Sequence, residues 1–199
     1  ISSFSMPISH YAGMVPFVLL FIFSTVATVK LFIILAKAHF LKRRLLKNIN
    51  KSSCLSTILE KLQLTDRTHI VESSKQFAFC LGINNPKIYI STGLVSILSN
   101  QEVEAVLWHE RYHLKNRDSL TLLIASIGAS LLPFFPIISD FLRNYRIERE
   151  IKADEEAIRG LGDEKPLISV LRKILSSPTV SIVSVDAIAD HDTLEPRIL

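Results

Sequence analysis

No side chain from Ile1 to Val29 carries a formal charge, and Tyr11 to Leu35 is apolar with Lys30 as its single charge. A helix needs about 20 apolar residues to cross the hydrocarbon core of a bilayer. Such a run serves either as a membrane span or as a core helix of a soluble domain. Few soluble cores hold so long and uninterrupted a stretch, so a span is the expected outcome. Lys30 would lie near one end and extend its ammonium to the interface. A cleaved signal peptide does not fit, because the positive charges follow the apolar run. Lys37, Lys42, Arg43, Arg44, Lys47 and Lys51 come just after it. By the positive-inside rule the downstream chain is cytoplasmic, on the inner face of the cell membrane. This basic segment has no interleaved aromatic platform and no nucleic-acid motif, so anionic headgroups explain it and no nucleic acid is expected. The first residue is Ile1, not Met, which reads as a piece of a longer or processed chain.

A second feature carries chemistry. The stretch Asn100 to His113 ends in His109-Glu110-Arg111-Tyr112-His113. Ser99 followed by Glu102 is a capping box, which predicts a helix start. Val103, Val106 and Leu107 supply an apolar stripe, and no Gly or Pro interrupts Asn100 to Asn116. On a helix, residues i and i+4 share a face, so His109 and His113 can present two imidazoles to one metal ion. Glu110 is then placed to act as general base on a metal-bound water. The bland alternative is a pair of solvated surface histidines.

A catalytic zinc needs three protein ligands and an open position. Glu150 on a second helix is the candidate third ligand, within Arg149-Glu150-Ile151-Lys152-Ala153-Asp154. Asp154 lies one turn on and is placed to accept a hydrogen bond from the non-coordinating N–H of a zinc histidine. Glu148 competes for the ligand role, and a simple charged helix face is the alternative, since Glu155 and Glu156 are close by.

His-Glu-x-x-His followed by Glu-x-x-x-Asp resembles the gluzincin membrane peptidases, both the HtpX-type and CAAX-prenyl endopeptidases and the BlaR-type sensor peptidases. The likeness covers roughly residues 76–157. Phe77 to Gly82 and Pro86 to Leu94 are similar to the strand-and-turn block that precedes the zinc helix in both groups. The BlaR-type group tends to carry an aspartate five residues after the second histidine, which Asp118 matches. A helix-end residue is its other reading. The resemblance also implies that an extended substrate pairs with an edge strand, for which Phe77–Leu81 is the candidate, with Phe77, Ala78 and Phe79 as substrate-binding residues. It implies that His191 and Arg197 lie near the active site, with His191 as an oxyanion stabiliser. Asp192 replaces the usual proline after that histidine, and an ordinary surface histidine is the alternative.

Elsewhere, Ser52 to Leu64 predicts a short amphipathic helix, with Leu55, Ile58, Leu59 and Leu62 at helical spacing. His69 to Val71, Gln76 to Leu81, Lys87 to Ser91 and Val180 to Val185 predict strands, and His69 reads as a strand surface residue. Pro166 predicts the start of another helix. Cys54 and Cys80 form no Cys-x-x-Cys pair and read as reduced thiols. Ser119 to Ser139 has no charged residue and resembles a span. Yet His113 precedes it and Glu150 follows it, and a single crossing would set them about 30 Å apart. The run is therefore expected to form a helical hairpin that returns to the side it left. Gly128, Pro133 and Pro136 are candidates for its turn.

The chain thus reads as mainly α with a small β-sheet (α+β): a zincin-like domain attached to an N-terminal transmembrane helix. The divisions are an anchor at 1–36, a basic juxtamembrane segment at 37–51 and a catalytic domain at 52–199. The function expected is zinc-dependent endoproteolysis at the membrane, with one Zn²⁺ per chain and a protein or peptide substrate. Two alternatives stay open: a sensor peptidase that cleaves a transcriptional repressor, and a non-catalytic signalling module. Oligomeric state is not legible.

Overall fold

The computed structural model describes residues 8–50, 55–131, 136–176 and 180–182. The elements run α1 (Ile8–Lys47), β1 (Ile49–Asn50), α2 (Ser56–Lys61), β2 (Thr68–Val71), β3 (Gln76–Leu81), β4 (Lys87–Ser91), α3 (Thr92–Ile97), α4 (Asn100–Asn116), α5 (Asp118–Leu131), α6 (Pro136–Leu161), α7 (Lys165–Ser176) and β5 (Val180–Ile182). Helices dominate, and the strands form one small sheet, so the α+β architecture with a long apolar N-terminal helix is as expected.

The apolar run and most of the basic segment belong to the same helix, α1, with no break near residue 36. Among the described residues, Gly13–Lys47 is the one helix long and apolar enough to cross a membrane. Most of its apolar side chains are exposed, Phe17 to 73% and Phe21 to 72%. Thr25 and Thr28 donate their hydroxyls to the carbonyls of Phe21 and Ser24, which satisfies them without water. Its last turns behave differently. Leu45 is buried and, with Leu41, packs on Val71, Phe77, Phe79, Leu81 and Tyr89. The helix is therefore joined to the sheet by a hydrophobic contact as well as by the chain.

The sheet order is β1-β2-β4-β3-β5. β4 is central, parallel to β2 and antiparallel to β3. Side chains alternate along each strand. Phe77, Phe79, Leu81 and Tyr89 face the end of α1. Ala78, Ile88 and Ile90 face the other way, against Leu94 of α3 and Val103, Val106 and Leu107 of α4. The sheet is thus a layer between α1 and α4. Gly82, at φ +131°, turns the chain from β3 toward β4, a conformation that disfavours any side chain.

Three expectations need correcting. The open edge expected at Phe77–Leu81 is occupied in part: β5 pairs in parallel with Gln76, Phe77 and Ala78. The strand after α7 covers this first half of the outer edge of β3. Phe77 and Phe79 are themselves buried, so their side chains are core rather than substrate surface. Second, α2 is shorter than the expected helix. It stops at Lys61, and Gln63 sits at φ +56°, which ends helical geometry. Residues 51–54, Cys54 among them, lie outside the described part. Third, Gly128 lies within α5 and not at a turn.

α5 packs beside α1 and α6, and α6 returns to pack on α4. Pro136 opens α6, where its missing N–H has no cost. Pro133 falls in 132–135, outside the described residues. α7 closes the domain. Buried Glu102 accepts from Ser169 at 2.6 Å and from Lys173 at 2.7 Å. His191 and Arg197 also lie outside the described residues. Cys80 is a buried free thiol, and His69 is half-buried against the Tyr89 ring.

Candidate active site

The site stands on α4, α5 and α6. The capping box of α4 forms as the spacing requires: Ser99 Oγ accepts from the Glu102 N–H and the Glu102 carboxylate accepts from the Ser99 N–H. Val103, Val106 and Leu107 hold α4 on the sheet. That packing turns His109, Glu110 and His113 inward, and all three are buried.

His109 Nδ1 lies 2.9 Å from Asp154 Oδ1, and His113 Nδ1 lies 2.8 Å from Asp118 Oδ2. A carboxylate only accepts, so each Nδ1 carries the hydrogen. In the neutral rings this leaves both Nε2 atoms as lone-pair donors. Those two atoms are 3.1 Å apart. Glu150 completes the group, with Oε2 at 3.3 Å from His109 Nε2 and Oε1 at 3.7 Å from His113 Nε2. Two imidazole lone pairs and a carboxylate thus converge on one point, which is stable only around a positive charge. Among the described residues, His109, His113 and Glu150 form the cluster able to hold a metal ion.

The charges around the cluster act in the same sense. Burial would lower the His109 pKa, but the Asp154 and Glu150 carboxylates outweigh it and lift it to about 10. Burial would raise the Glu150 pKa, but His109 and His113 hold it below the ordinary carboxylate value. The surroundings demand a cation among these atoms. A divalent metal meets that demand, with the two Nδ1–H···carboxylate bonds fixing ring orientation and tautomer.

Glu110 is 2% exposed, and burial raises its pKa. Its Oε1 has no hydrogen-bond partner. A buried carboxylate oxygen is rarely left so, and His109 and His113 lie near enough to favour the charged form of this carboxylate against its burial. Glu148, the competing ligand, instead turns to Lys152 at 2.5 Å and is 61% exposed.

Asp118 reaches His113 because of a backbone feature that sequence reading missed. Arg117 caps α4 in the left-handed region, φ +52°, with its N–H bonded to the His113 carbonyl. The chain turns sharply there, and Asp118 opens α5 directly beside His113. Left-handed backbone is unusual for arginine, and no spacing rule announces it. Arg149 and Tyr112 were also missed as site residues. Arg149 Nη1 donates to Tyr112 Oη at 2.8 Å, and Nε lies 3.3 Å from Asp118 Oδ1. Their adjacency to Glu150 and His113 was the available signal.

A buried helix-borne histidine pair, a glutamate between the two, a further glutamate brought to them by α6 and an apolar N-terminal helix define the class: a membrane metallopeptidase of the HtpX and BlaR type. The chain belongs to the BlaR1 peptidase M56 family, whose model matches residues 6–180. It is 40% identical over 77 residues to a protease HtpX homolog of Moorella thermoacetica, covering 38% of this chain and 25% of that protein. It is 45% identical over 64 residues to protease HtpX homolog 2 of Methanosarcina mazei, covering 31% and 22%. A Thermodesulfovibrio yellowstonii protease HtpX homolog is 37% identical over 68 residues, covering 33% and 23%. The matched segments span about a quarter of these relatives' lengths.

Proposed function

We propose that the chain is a zinc-dependent endopeptidase, anchored in the cell membrane by α1 with its catalytic domain on the cytoplasmic face. The observation that carries this reading is the convergence of His109 Nε2, His113 Nε2 and the Glu150 carboxylate beside the unpartnered Oε1 of Glu110. Two nitrogens and one carboxylate are a donor set that suits zinc and leave a fourth position open. Zinc held there supplies Lewis acidity, which polarises a peptide carbonyl and acidifies water.

The remaining work falls to side chains. Glu110 takes a proton from water at its free Oε1 and later returns it to the leaving amine. Its burial favours the neutral form, which brings the carboxyl nearer to the neutral range a general base needs. Asp154 and Asp118 hold the two rings in the tautomer that points Nε2 inward. A peptide would enter along β3 beyond Ala78, where no strand among the described residues pairs with its outer edge, or by displacing β5. His191 as oxyanion stabiliser and Arg197 as a substrate contact remain part of this proposal. The intact Glu110 disfavours a non-catalytic module. The family match favours a second reading with the same chemistry, a sensor peptidase whose substrate is a transcriptional repressor.

The test uses the purified chain in detergent micelles with a quenched peptide or unfolded protein as substrate. Hydrolysis should stop with a chelator and return with Zn²⁺. Glu110→Gln should keep its metal and lose about 10²–10⁴-fold in rate. Near wild-type cleavage by that variant would sink the mechanism.

A further inference from the structure

The ligands sit on two helices separated by an apolar hairpin, and apolar packing alone tolerates sliding. Something directional must hold α6 in register with α4. Arg149, directly before Glu150, is placed to do so. Nη1 donates to Tyr112 Oη of α4 at 2.8 Å, and Nε donates to Tyr145 Oη of α6 at 2.9 Å. Nε also lies 3.3 Å from Oδ1 of Asp118, the first residue of α5. The guanidinium carbon lies 5.1 Å from the Tyr145 ring centre and 5.7 Å from that of Tyr112. One side chain therefore meets all three helices of the site.

Its most informative contact is Asp118. That carboxylate is buried, its Oδ2 holds His113 Nδ1, and its Oδ1 makes no hydrogen bond of good geometry. A buried carboxylate needs a charged or hydrogen-bonding partner to offset its lost hydration and to hold its orientation. Arg149 supplies that charge from the opposite side of the same carboxylate. The fork shape of guanidinium suits the task, because it reaches a tyrosine and a carboxylate in fixed directions where an ammonium is a single point charge.

We propose that Arg149 is a positioning residue for metal binding: it acts through Asp118 on His113, and through its own place on α6 it sets Glu150. The inference rests on the reading of His113 as a metal ligand. Zn²⁺ affinity of the full chain in micelles, measured by competition with a chromophoric chelator, tests both. Arg149→Met and Asp118→Asn are each expected to weaken binding about tenfold, the low end for residues that support a metal ligand. The double variant should be no weaker than the weaker single one, because both changes interrupt one chain of contacts. The metal-free thermal midpoint of each variant separates this from unfolding, since a merely structural role would lower that midpoint and let the affinity losses multiply. Arg149→Lys, which keeps the charge without the fork, should fall between wild type and Arg149→Met. If Arg149→Met does not fold, Arg149→Lys carries the test, and wild-type affinity in it overturns the inference. Arg149→Met within twofold of wild type, or losses that multiply in the double variant, also overturns it. His113→Ala distinguishes the two levels. If it loses zinc while Arg149→Met keeps it, only the inference fails. If it keeps zinc, the proposed metal site fails as well.

Discussion

Gly160→Ala is a substitution for which two ordinary effects have opposite signs. Gly160 lies near the end of α6, where alanine is favoured over glycine by at most about 1 kcal/mol on helix propensity. A Cβ at this position, however, would stand 2.8 Å from Cζ2 of Trp108 and nearer still to Cε2 and Cδ2. Carbon atoms in contact sit about 3.5–4.0 Å apart, so the ring and the helix must separate by roughly 1 Å. Trp108 cannot easily yield: it packs against the core clusters on both sides of α4, and Arg111 lies over its ring at 4.6 Å. Overpacking of this kind costs about 1–3 kcal/mol, which offsets or exceeds the propensity gain and leaves a net loss of up to about 2 kcal/mol. The shift also reaches the site. Asp154 is six residues before Gly160, about 9 Å along the axis. A stiff helix moved by about 1 Å at Gly160 carries part of that displacement to Asp154, enough to stretch its 2.9 Å contact with His109. Metal affinity should then fall about tenfold. Denaturant unfolding of the metal-free chain and chelator competition measure the two effects. An alanine variant that is more stable than wild type and binds zinc equally well would refute the reasoning.

Three further outcomes follow from contacts in and around the site. Glu150→Ala should lower zinc occupancy far more than Glu148→Ala, because Glu150 approaches both Nε2 atoms while Glu148 is engaged with Lys152; equal occupancy by metal analysis contradicts the assignment. Glu102 is held down to about 2: burial works against its charge, and Lys173, Ser169 and the Ser99 N–H outweigh it. A depressed carboxyl stabilises the fold above its unfolded value of 4.5, and that contribution is lost as pH falls from there through about 2. Glu102→Gln should therefore cost on the order of 2 kcal/mol at pH 7, after discounting for the partly exposed Lys173, and the difference from wild type should shrink in that acid window. A pH-independent difference would mean the ion pair is not its cause. Finally, cysteines introduced near Asn116 and Asn144 should be labelled from the same face of sealed vesicles, since α6 brings Glu150 back to His109 and His113; labelling from opposite faces would rule out Glu150 as their partner.

What the sequence determined by itself was whatever depends on local periodicity. The i,i+4 spacing of His109 and His113 on a capped helix is set by 3.6 residues per turn and needs no tertiary context. The same holds for Glu150 and Asp154, for the alternation in β3 and β4, and for the unbroken apolar run of α1. The expected return of the chain after α5 rests on the same kind of reasoning, since groups that could hold one ion cannot lie on opposite sides of a bilayer. What only the tertiary structure decided were the contacts between segments distant in sequence and the backbone exceptions. β5 lies along the edge of β3 because a strand's outer polar groups accept any extended partner, and no side-chain pattern names which one. Asp118 meets His113 through the left-handed turn at Arg117, a conformation that residue identity disfavours and that the surrounding packing imposes. Arg149 and Gly160 matter because α6 lies against α4 at one particular distance. That distance is the sum of many small packing terms along both helices, and none of them is written in the local sequence of either.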